Sequence, residues 1–213
     1  PKQEFKGTFL DGKHIMEVSA YTGQGIAELR EKLHDLVQSA QEKSTRIPFR
    51  LPIDRVFSVD GFGTVVTGTL VDGSMNEGDL AELMPSGTPT RIRNLQVHGK
   101  NVDTAYAGQR VAVNLASLKK TDLDKGDVVA QKDSMHVAMM LDAKMSVLKN
   151  CERDIFNGSR LHLYHGARDI LCKCVLLDRE VASAGDEVYV QLRLEEEIAA
   201  KAGDRFILHF YSP

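Results

Sequence analysis

The chain has 213 residues, of which 42% are hydrophobic and 27% are charged, so it can bury a core and does not have the composition of a disordered chain. Its net charge is −3 at pH 7, whereas a dedicated nucleic-acid-binding domain is usually basic, so we expect any RNA contact to come from a local patch. Three irregularly spaced cysteines exclude a disulfide framework and favour a cytoplasmic location, and no apolar run approaches the roughly 20 residues of a membrane span.

The first 45 residues are predicted to form a strand, a loop and a helix, followed by a polar linker. Residues 14–19 resemble a short strand, and four apolar residues then recur at the spacing of one helical face: Ile26, Leu29, Leu33 and Leu36. This is the pattern of the last unit of an α/β domain. One strand cannot form a sheet, and the chain begins without Met, so we interpret it as a piece of a longer protein.

From residue 46 onward the sequence predicts two consecutive antiparallel β-barrels, at residues 46–133 and 134–213, and the fold class is therefore mainly β. Short β-rich runs alternate with glycine-containing turns, as in barrels and sandwiches. The runs expected to form strands of the first barrel are 56–59, 64–71, 79–84, 90–97, 110–115 and 128–131. Those of the second barrel are 140–148, 160–164, 170–177, 187–194 and 206–211.

Two short motifs require a choice between a ligand-binding loop and a simple turn. Ser19-Ala20 precedes the predicted helix, where backbone N–H groups are free to meet a ligand, but many such turns only connect a strand to a helix. Gly61-Phe62-Gly63 is followed by a strand-like run rather than a helix, which favours a tight turn over a phosphate loop. Because the phosphate-loop motif G-x-x-x-x-G-K-[ST] is missing from the sequence, we expect neither GTP hydrolysis nor tight nucleotide binding by this chain.

Other polar residues give weaker signals. His162 and His165 are three apart on a predicted strand and would face opposite sides, so together with Cys172 and Cys174 they favour a packed sheet over a metal site. No catalytic residue is predicted. Three pairs of cations could either contact phosphates or lie on a solvated face, and composition does not decide between these: Lys119 with Lys120, Arg91 with Arg93, and Arg160 with Arg168.

An ordered series of motifs between residues 53 and 115 resembles the second domain of translational GTPases, which include elongation factor Tu. The series consists of Asp54-Arg55-Val56-Phe57, Gly61-Phe62-Gly63-Thr64-Val65-Val66-Thr67-Gly68, Glu77-Gly78-Asp79 and Ala107-Gly108-Gln109-Arg110. A second set resembles the selenocysteine-specific elongation factors of bacteria rather than elongation factor Tu. It consists of Asp54-Arg55, Gly108-Gln109-Arg110, Tyr164-His165-Gly166, Leu177-Asp178-Arg179, Gln191-Leu192-Arg193-Leu194 and Gly203-Asp204-Arg205-Phe206, with Tyr211-Ser212-Pro213. The resemblance also includes Gly7-Thr8-Phe9-Leu10.

This resemblance implies a piece of a factor that, with GTP, binds selenocysteinyl-tRNA and delivers it to the ribosome at recoded UGA codons. It implies a selenocysteine pocket of Asp54, Arg55 and Arg110, and a guanine-contact loop at Ser19 and Ala20. GTP and Mg²⁺ are expected in the full-length protein, which would be a GTPase, and no cofactor is expected here. The family's mRNA-hairpin-binding domains have no counterpart in this sequence, and no membrane partner is expected.

The chemistry of the implied pocket suits selenocysteine. A cysteine thiol titrates near about 8.5, and a selenol is more acidic, so selenocysteine is largely anionic at neutral pH. Guanidinium groups can hold that anion, while a serine hydroxyl stays neutral.

Two alternative functions remain at this point. The chain could belong to another translational GTPase similar to elongation factor Tu. It could also belong to a metabolic GTPase such as the ATP sulfurylase subunit, in which the barrels would contact protein. A stand-alone barrel enzyme is not supported, because no nucleophile–base pair is evident in the sequence.

Overall fold

The computed structural model describes residues 5–6, 10–40, 43–59 and 61–211. Within these ranges there is one α-helix, α1 (Ile26–Ser39), and a short 3₁₀ helix (Lys120–Asp122). The first nine strands are β1 (Arg50–Val59), β2 (Gly63–Thr69), β3 (Ser74–Asn76), β4 (Leu80–Met84), β5 (Thr88–Val97), β6 (Lys100–Val102), β7 (Thr104–Tyr106), β8 (Arg110–Leu115) and β9 (Val128–Gln131). The others are β10 (Val137–Ser146), β11 (Ile155–Phe156), β12 (Ser159–His165), β13 (Arg168–Leu176), β14 (Val181–Ala182), β15 (Glu187–Ala199) and β16 (Ile207–Phe210).

The helix preceding the strands forms where the apolar spacing predicts it. The prediction of a strand at residues 14–19 was wrong. Residues 13–19 pair with no strand in the described part of the chain, and a β-strand needs a neighbour to satisfy its backbone groups. The helix buries none of its residues, and Leu33, Leu36 and Val37 are all more than half exposed. The motif at residues 7–9 and the last two residues of the motif ending at 213 lie outside the described residues, as does part of the linker.

The first barrel is closed and six-stranded. Its strands follow the order β4-β9-β1-β2-β8-β5, and β5 pairs with β4 to complete the ring. Alternate residues of β2 and β8 point inward, as the two-residue period of a strand requires, so Val66, Val111 and Val113 are fully buried. Gly68 lies where a Cβ atom would come within 2.1 Å of the Pro52 carbonyl oxygen, so two strands approach closely at that point.

The second module is a five-stranded antiparallel sheet in the order β10-β15-β13-β12-β16, curled around its own core. Cys172 and Cys174 on β13 are fully buried in this core, as predicted for packed strand residues. Burial raises the pKa of each thiol to about 11, so both stay protonated at neutral pH. No ladder joins β10 to β16 within residues 61–211.

Charged side chains and a small apolar cluster join the two modules. Arg50 of β1 donates two hydrogen bonds, of 2.7 and 2.6 Å, to Asp204 in the loop before β16. Arg168 of β13 also donates a hydrogen bond to Asp127, at 2.8 Å. The apolar cluster consists of Met84, Val128, Ala130 and Ala199, with Met135 packed against it. No helix in the described residues is long and apolar enough to cross a membrane.

Candidate functional site: a charged cluster on the first barrel

Asp54 lies at an irregularity in the pairing of β1 with β2. Ile53 pairs with Gly68 and Arg55 pairs with Thr67, so Asp54 is the extra residue of a β-bulge. The bulge shifts the inward–outward alternation by one residue. As a result Ile53 points into the core, Val56 packs against the core, and both Asp54 and Arg55 are on the outer face.

The Asp54 carboxylate is held by two residues of neighbouring strands. Arg110, the first residue of β8, donates to Asp54 through Nη1 at 2.5 Å and Nη2 at 3.0 Å, which is a bidentate ion pair. Thr67 of β2 donates from Oγ1 to Oδ1 at 2.8 Å, and its hydroxyl also accepts from Arg110 Nη2 at 3.4 Å. The hydrogen bonds from Arg110 lower the pKa of Asp54, so the carboxylate is charged at neutral pH.

The third residue of this cluster is Arg55. It is exposed on β1 next to Asp54, and it makes no hydrogen bond or ion pair with any residue that the structure describes. Asp54, Arg55 and Arg110 together carry one net positive charge, since Arg110 is already paired with the carboxylate. The three predicted residues thus come together because β1 and β8 both pair with β2, although they are far apart in the sequence.

A groove of about 260 Å³ runs along the same outer face beside this cluster. Gln96 of β5 donates to Asn101 at 2.9 Å on one side, and Asn114 donates to the Phe62 carbonyl at 2.7 Å, tying down the turn between β1 and β2. Sequence reasoning missed this groove. The available signal was the small or amide residues at alternate positions of the strands. Its lining residues are Val59, Phe62, Val65, Asn94, Gln96, Asn101, Ala112 and Asn114.

Ser19 and Ala20 form a tight loop before α1, separate from the charged cluster. The Ser19 hydroxyl accepts from the Thr22 N–H at 3.2 Å, and its carbonyl accepts from the Gly23 N–H at 2.9 Å. Gly25 at the start of the helix has φ of 70° and lies against the Glu17 carbonyl, which fixes the sharp turn. Among the described residues, no hydrogen bond or ion pair links this loop to Asp54, Arg55 or Arg110.

The structure separates the two arginines that the sequence paired as a possible phosphate contact. Arg168 lies between the modules and also bonds Glu196, at 3.2 Å. Arg160 lies on the outer face of β12, where it pairs with Glu195 and its guanidinium stands 5.0 Å from the centroid of the Tyr211 ring. His162 and His165 make separate contacts, and no group of potential ligands in the described residues could hold a metal.

Aromatic rings continue from Arg160 along the outer face of the second module. Tyr211 stacks on His162 with ring centroids 5.6 Å apart, and His162 stacks on Tyr164 at 6.1 Å. His162 also contacts Asp169 through Nδ1 at 2.7 Å. We call this row, made of Arg160, Tyr211, His162 and Tyr164, the aromatic row; it is partly exposed and combines stacking surface with a cation.

Comparison with known protein families assigns both modules. Residues 63–130 match the family described as elongation factor Tu domain 2, and residues 139–210 match the selenocysteine-specific elongation factor, beta-barrel domain. This second match distinguishes the chain from elongation factor Tu. The chain is homologous to a segment of the selenocysteine-specific elongation factors. The predicted resemblance and the mainly-β fold class are thereby confirmed.

Individual relatives with similar sequences support the same family assignment. The selenocysteine-specific elongation factor of Desulfomicrobium baculatum is 37% identical over 207 residues, covering 97% of this chain and 33% of the relative. The selenocysteine-specific elongation factor of Haemophilus influenzae is 35% identical, and the match covers 97% of this chain and 32% of the relative. The chain therefore spans about a third of the length of these curated relatives.

Two solved structures have the same fold. A bacterial selenocysteine-specific elongation factor, EF-Sec, superposes with a TM-score of 0.80 at 29% identity, covering 93% of this chain and 32% of that one. The apo form of elongation factor SelB from Methanococcus maripaludis superposes with a TM-score of 0.83 at 25% identity, covering 97% of this chain and 49% of that one. The two β-modules of this segment thus recur in bacterial and archaeal factors.

Proposed function

We propose that this segment is the part of a selenocysteine-specific elongation factor that holds the aminoacyl end of selenocysteinyl-tRNA, for GTP-dependent delivery to the ribosome at recoded UGA codons. The observation that carries the proposal is the cluster of Asp54, Arg55 and Arg110 on the outer face of the first barrel. Domain boundaries at 45/46 and 133/134 belong to the same proposal, as does a guanine contact at Ser19 and Ala20. GTP and Mg²⁺ would bind to the GTPase domain of the longer protein.

Within the cluster the two arginines have different roles. Arg110 is fixed by its bidentate bond to Asp54, so it presents an oriented but largely neutralised guanidinium. Arg55 has no such partner in the described residues and is free to pair with a compact anion. Selenolate brings one negative charge to a site with one net positive charge, whereas serine brings none. Selection would therefore depend on the charge of the side chain more than on its size.

The adjacent groove suits the nucleoside to which the amino acid is esterified. An aminoacyl ester joins the amino acid directly to the terminal ribose of the tRNA, so the side chain and the last base must bind close together. The groove lies on the same sheet face as the cluster, and its apolar floor with amide edges can accept a base by packing and hydrogen bonding. Its position beside the cluster adds a contact for the terminal nucleoside to the contact that the arginines would make with the side chain.

The test compares selenocysteinyl- and seryl-tRNA on one tRNA body, using the intact factor with GTP. Arg55→Ala removes a hydrogen bond to a charged group, about 1.5–3 kcal/mol, so the selenocysteinyl form should bind roughly 10- to 150-fold more weakly. The seryl form should change little. Arg110→Ala should likewise reduce discrimination, because it leaves Asp54 without its bidentate partner and removes the net positive charge of the pocket. Arg91→Ala, which removes an exposed arginine of β5, is the matched control. An equal loss for both aminoacyl-tRNAs in the Arg55 and Arg110 variants would refute the pocket assignment.

The aromatic row is the surface that we assign to the tRNA arm. The net charge of the chain is negative, but this local surface combines stacked rings with a guanidinium, and both groups are used by proteins to bind RNA. Arg160→Ala should weaken both aminoacyl-tRNAs equally and reduce the slope of log affinity against log salt by about 1. This pattern differs from that of the pocket variants. An unchanged salt slope would show that Arg160 serves only its pair with Glu195.

A further inference from the structure

The β-bulge at Asp54 places two oppositely charged neighbours on one face of β1. In a regular strand, successive side chains point to opposite faces, so consecutive Asp and Arg side chains lie apart. Because Asp54 is the extra residue of the bulge, Asp54 and Arg55 are both on the outer face. The hydrogen bonds from Arg110 are the main cause of the lowered pKa of Asp54, and the charge of Arg55 is a smaller one. Arg55 is therefore close enough to attract the carboxylate.

A second Asp-Arg dipeptide in the same chain shows how such neighbours can pair. Arg179 donates two hydrogen bonds to the carboxylate of Asp178, through Nε at 3.1 Å and Nη2 at 3.2 Å. The carboxylate of Asp54 pairs instead with Arg110, which is 56 residues away in the sequence. Arg55 forms no ion pair within the part of the chain that the structure describes. Some feature of the cluster must therefore set the preference of Asp54 for the distant arginine.

The Thr67 side chain is in position to set this preference. Thr67 is half-buried and lies directly opposite Arg55 in the pairing of β1 with β2. Its hydroxyl donates to Asp54 Oδ1 at 2.8 Å and accepts from Arg110 Nη2 at 3.4 Å, so it bridges both members of the ion pair. Oδ1 also accepts from Arg110 Nη2 at 3.0 Å, which uses both of its lone pairs. A bidentate pair between Asp54 and Arg55 would therefore have to displace Thr67 or Arg110.

We propose that Thr67 is a positioning residue of the charged cluster: its hydroxyl fixes the Asp54 carboxylate on Arg110 and so keeps the Arg55 guanidinium available for an anionic side chain. The identity of that anion rests on the function proposed above. Without the hydroxyl, the carboxylate would divide between the two arginines, and Arg55 would be available in fewer molecules. Affinity for the anion falls by the same factor, so equal division weakens binding about twofold, and an about ninefold preference for Arg55 weakens it about tenfold.

The first test follows the arginine side chains of the ligand-free 213-residue chain by NMR. A bidentate ion pair restricts rotation of a guanidinium, so the Nη signals of Arg110 should be resolved and those of Arg55 averaged. Thr67→Val keeps the shape of the side chain and removes the hydroxyl, so restricted rotation should appear at Arg55 and decrease at Arg110. Thr67→Ser should resemble the original protein. Thr69→Val is the matched control, because Thr69 is exposed on the same strand and its side chain makes no hydrogen bond to any residue that the structure describes.

The second test measures binding of selenocysteinyl- and seryl-tRNA, on one tRNA body, to the intact factor with GTP. Thr67→Val should weaken the selenocysteinyl form about two- to tenfold and leave the seryl form unchanged. Thr67→Ser should retain the original affinity for both. In an Asp54→Asn background, Thr67→Val should have no further effect, because no carboxylate is left to occupy Arg55.

Three results would overturn the proposal. The first is unchanged NMR signals of both arginines in Thr67→Val, since the hydroxyl would then not direct the carboxylate. The second is an equal loss for both aminoacyl-tRNAs, or the same loss in the Asp54→Asn background, which is the behaviour of a purely structural residue. The third is full discrimination in Thr67→Val when Arg55→Ala has lost it. If the NMR signals change but neither variant alters discrimination, the positioning of Asp54 by Thr67 stands and the pocket assignment is refuted.

Discussion

Replacing Asp204 with asparagine is expected to destabilise the joint between the two modules. The Asp204 side chain is 15% exposed and accepts hydrogen bonds from Arg50, from the Lys201 N–H and from His165. Burial alone would raise the pKa of this carboxyl, but the hydrogen bonds, chiefly that from Arg50, lower it from 3.8 to about 2. A shift of that size corresponds to about 2 kcal/mol of stability at neutral pH.

The sign of the pH dependence follows from that lowered pKa. The charged form of Asp204 is favoured in the folded state, so its contribution is present above the unfolded pKa of 3.8 and is lost as the pH falls toward about 2. Asp204→Asn should therefore cost about 2 kcal/mol at pH 7, and the difference from the original protein should shrink below pH 4. Asp72, 2.6 Å from Arg50, keeps that arginine from losing every partner, which limits the cost.

Urea unfolding at pH 7, 4 and 3 measures this difference. Asp79→Asn is the matched control, because Asp79 also accepts the backbone N–H three residues earlier in an x-x-Gly-Asp turn but lies within the first barrel. Its loss should be about 1 kcal/mol, the usual net value of one hydrogen bond. The reasoning fails if Asp204→Asn unfolds at the same urea concentration as the original protein at pH 7. It also fails if the difference persists undiminished at pH 3.

Three further predictions concern packing and local stability. Gly68→Ala should destabilise by about 1–3 kcal/mol in urea unfolding, since its Cβ would meet the Pro52 carbonyl at 2.1 Å; an unchanged midpoint would mean that the strands can separate there at little cost. Cys172 and Cys174, fully buried and with a pKa of about 11, should resist alkylation at pH 8 until the protein unfolds, which mass spectrometry can follow. Amides of α1 should exchange faster than those of β13, because the helix has no buried residue; equal protection would contradict this.

Much of the fold was predictable because the controlling signals are local. The two-residue alternation, the turn glycines and the helical spacing of Ile26 to Leu36 lie within short windows, and most predicted strands formed within a few residues of their expected bounds. The strand at 14–19 failed for a physical reason: strand pairing needs a neighbour, which local sequence does not reveal. The short strands β3, β6, β7, β11 and β14 were also missed, since two or three residues give no periodic signal.

The charged cluster, like the fold, was predictable from the sequence only in part. The sequence by itself determined which residue types were present, and the order of motifs around Asp54, Arg55 and Arg110 suggested their grouping. Only the tertiary structure decided that β2 lies between β1 and β8 and that Thr67 holds the carboxylate. It also decided that Arg55, unlike Arg110, forms no ion pair within residues 5–6, 10–40, 43–59 and 61–211.

The β-bulge at Asp54 shows most clearly that the pairing register decides which face of a strand a side chain occupies. A regular alternation along β1 would place Arg55 inward with Leu51 and Ile53, whereas the register against Thr67 and Gly68 places it outside. Likewise, Arg160 and Arg168 are equivalent cations in the sequence, and only packing puts one beside an exposed tyrosine and the other between two modules. Pairing register and side-chain partners depend on residues distant in the chain, so composition and periodicity specified the strands, while the folded arrangement specified which face each charge occupies.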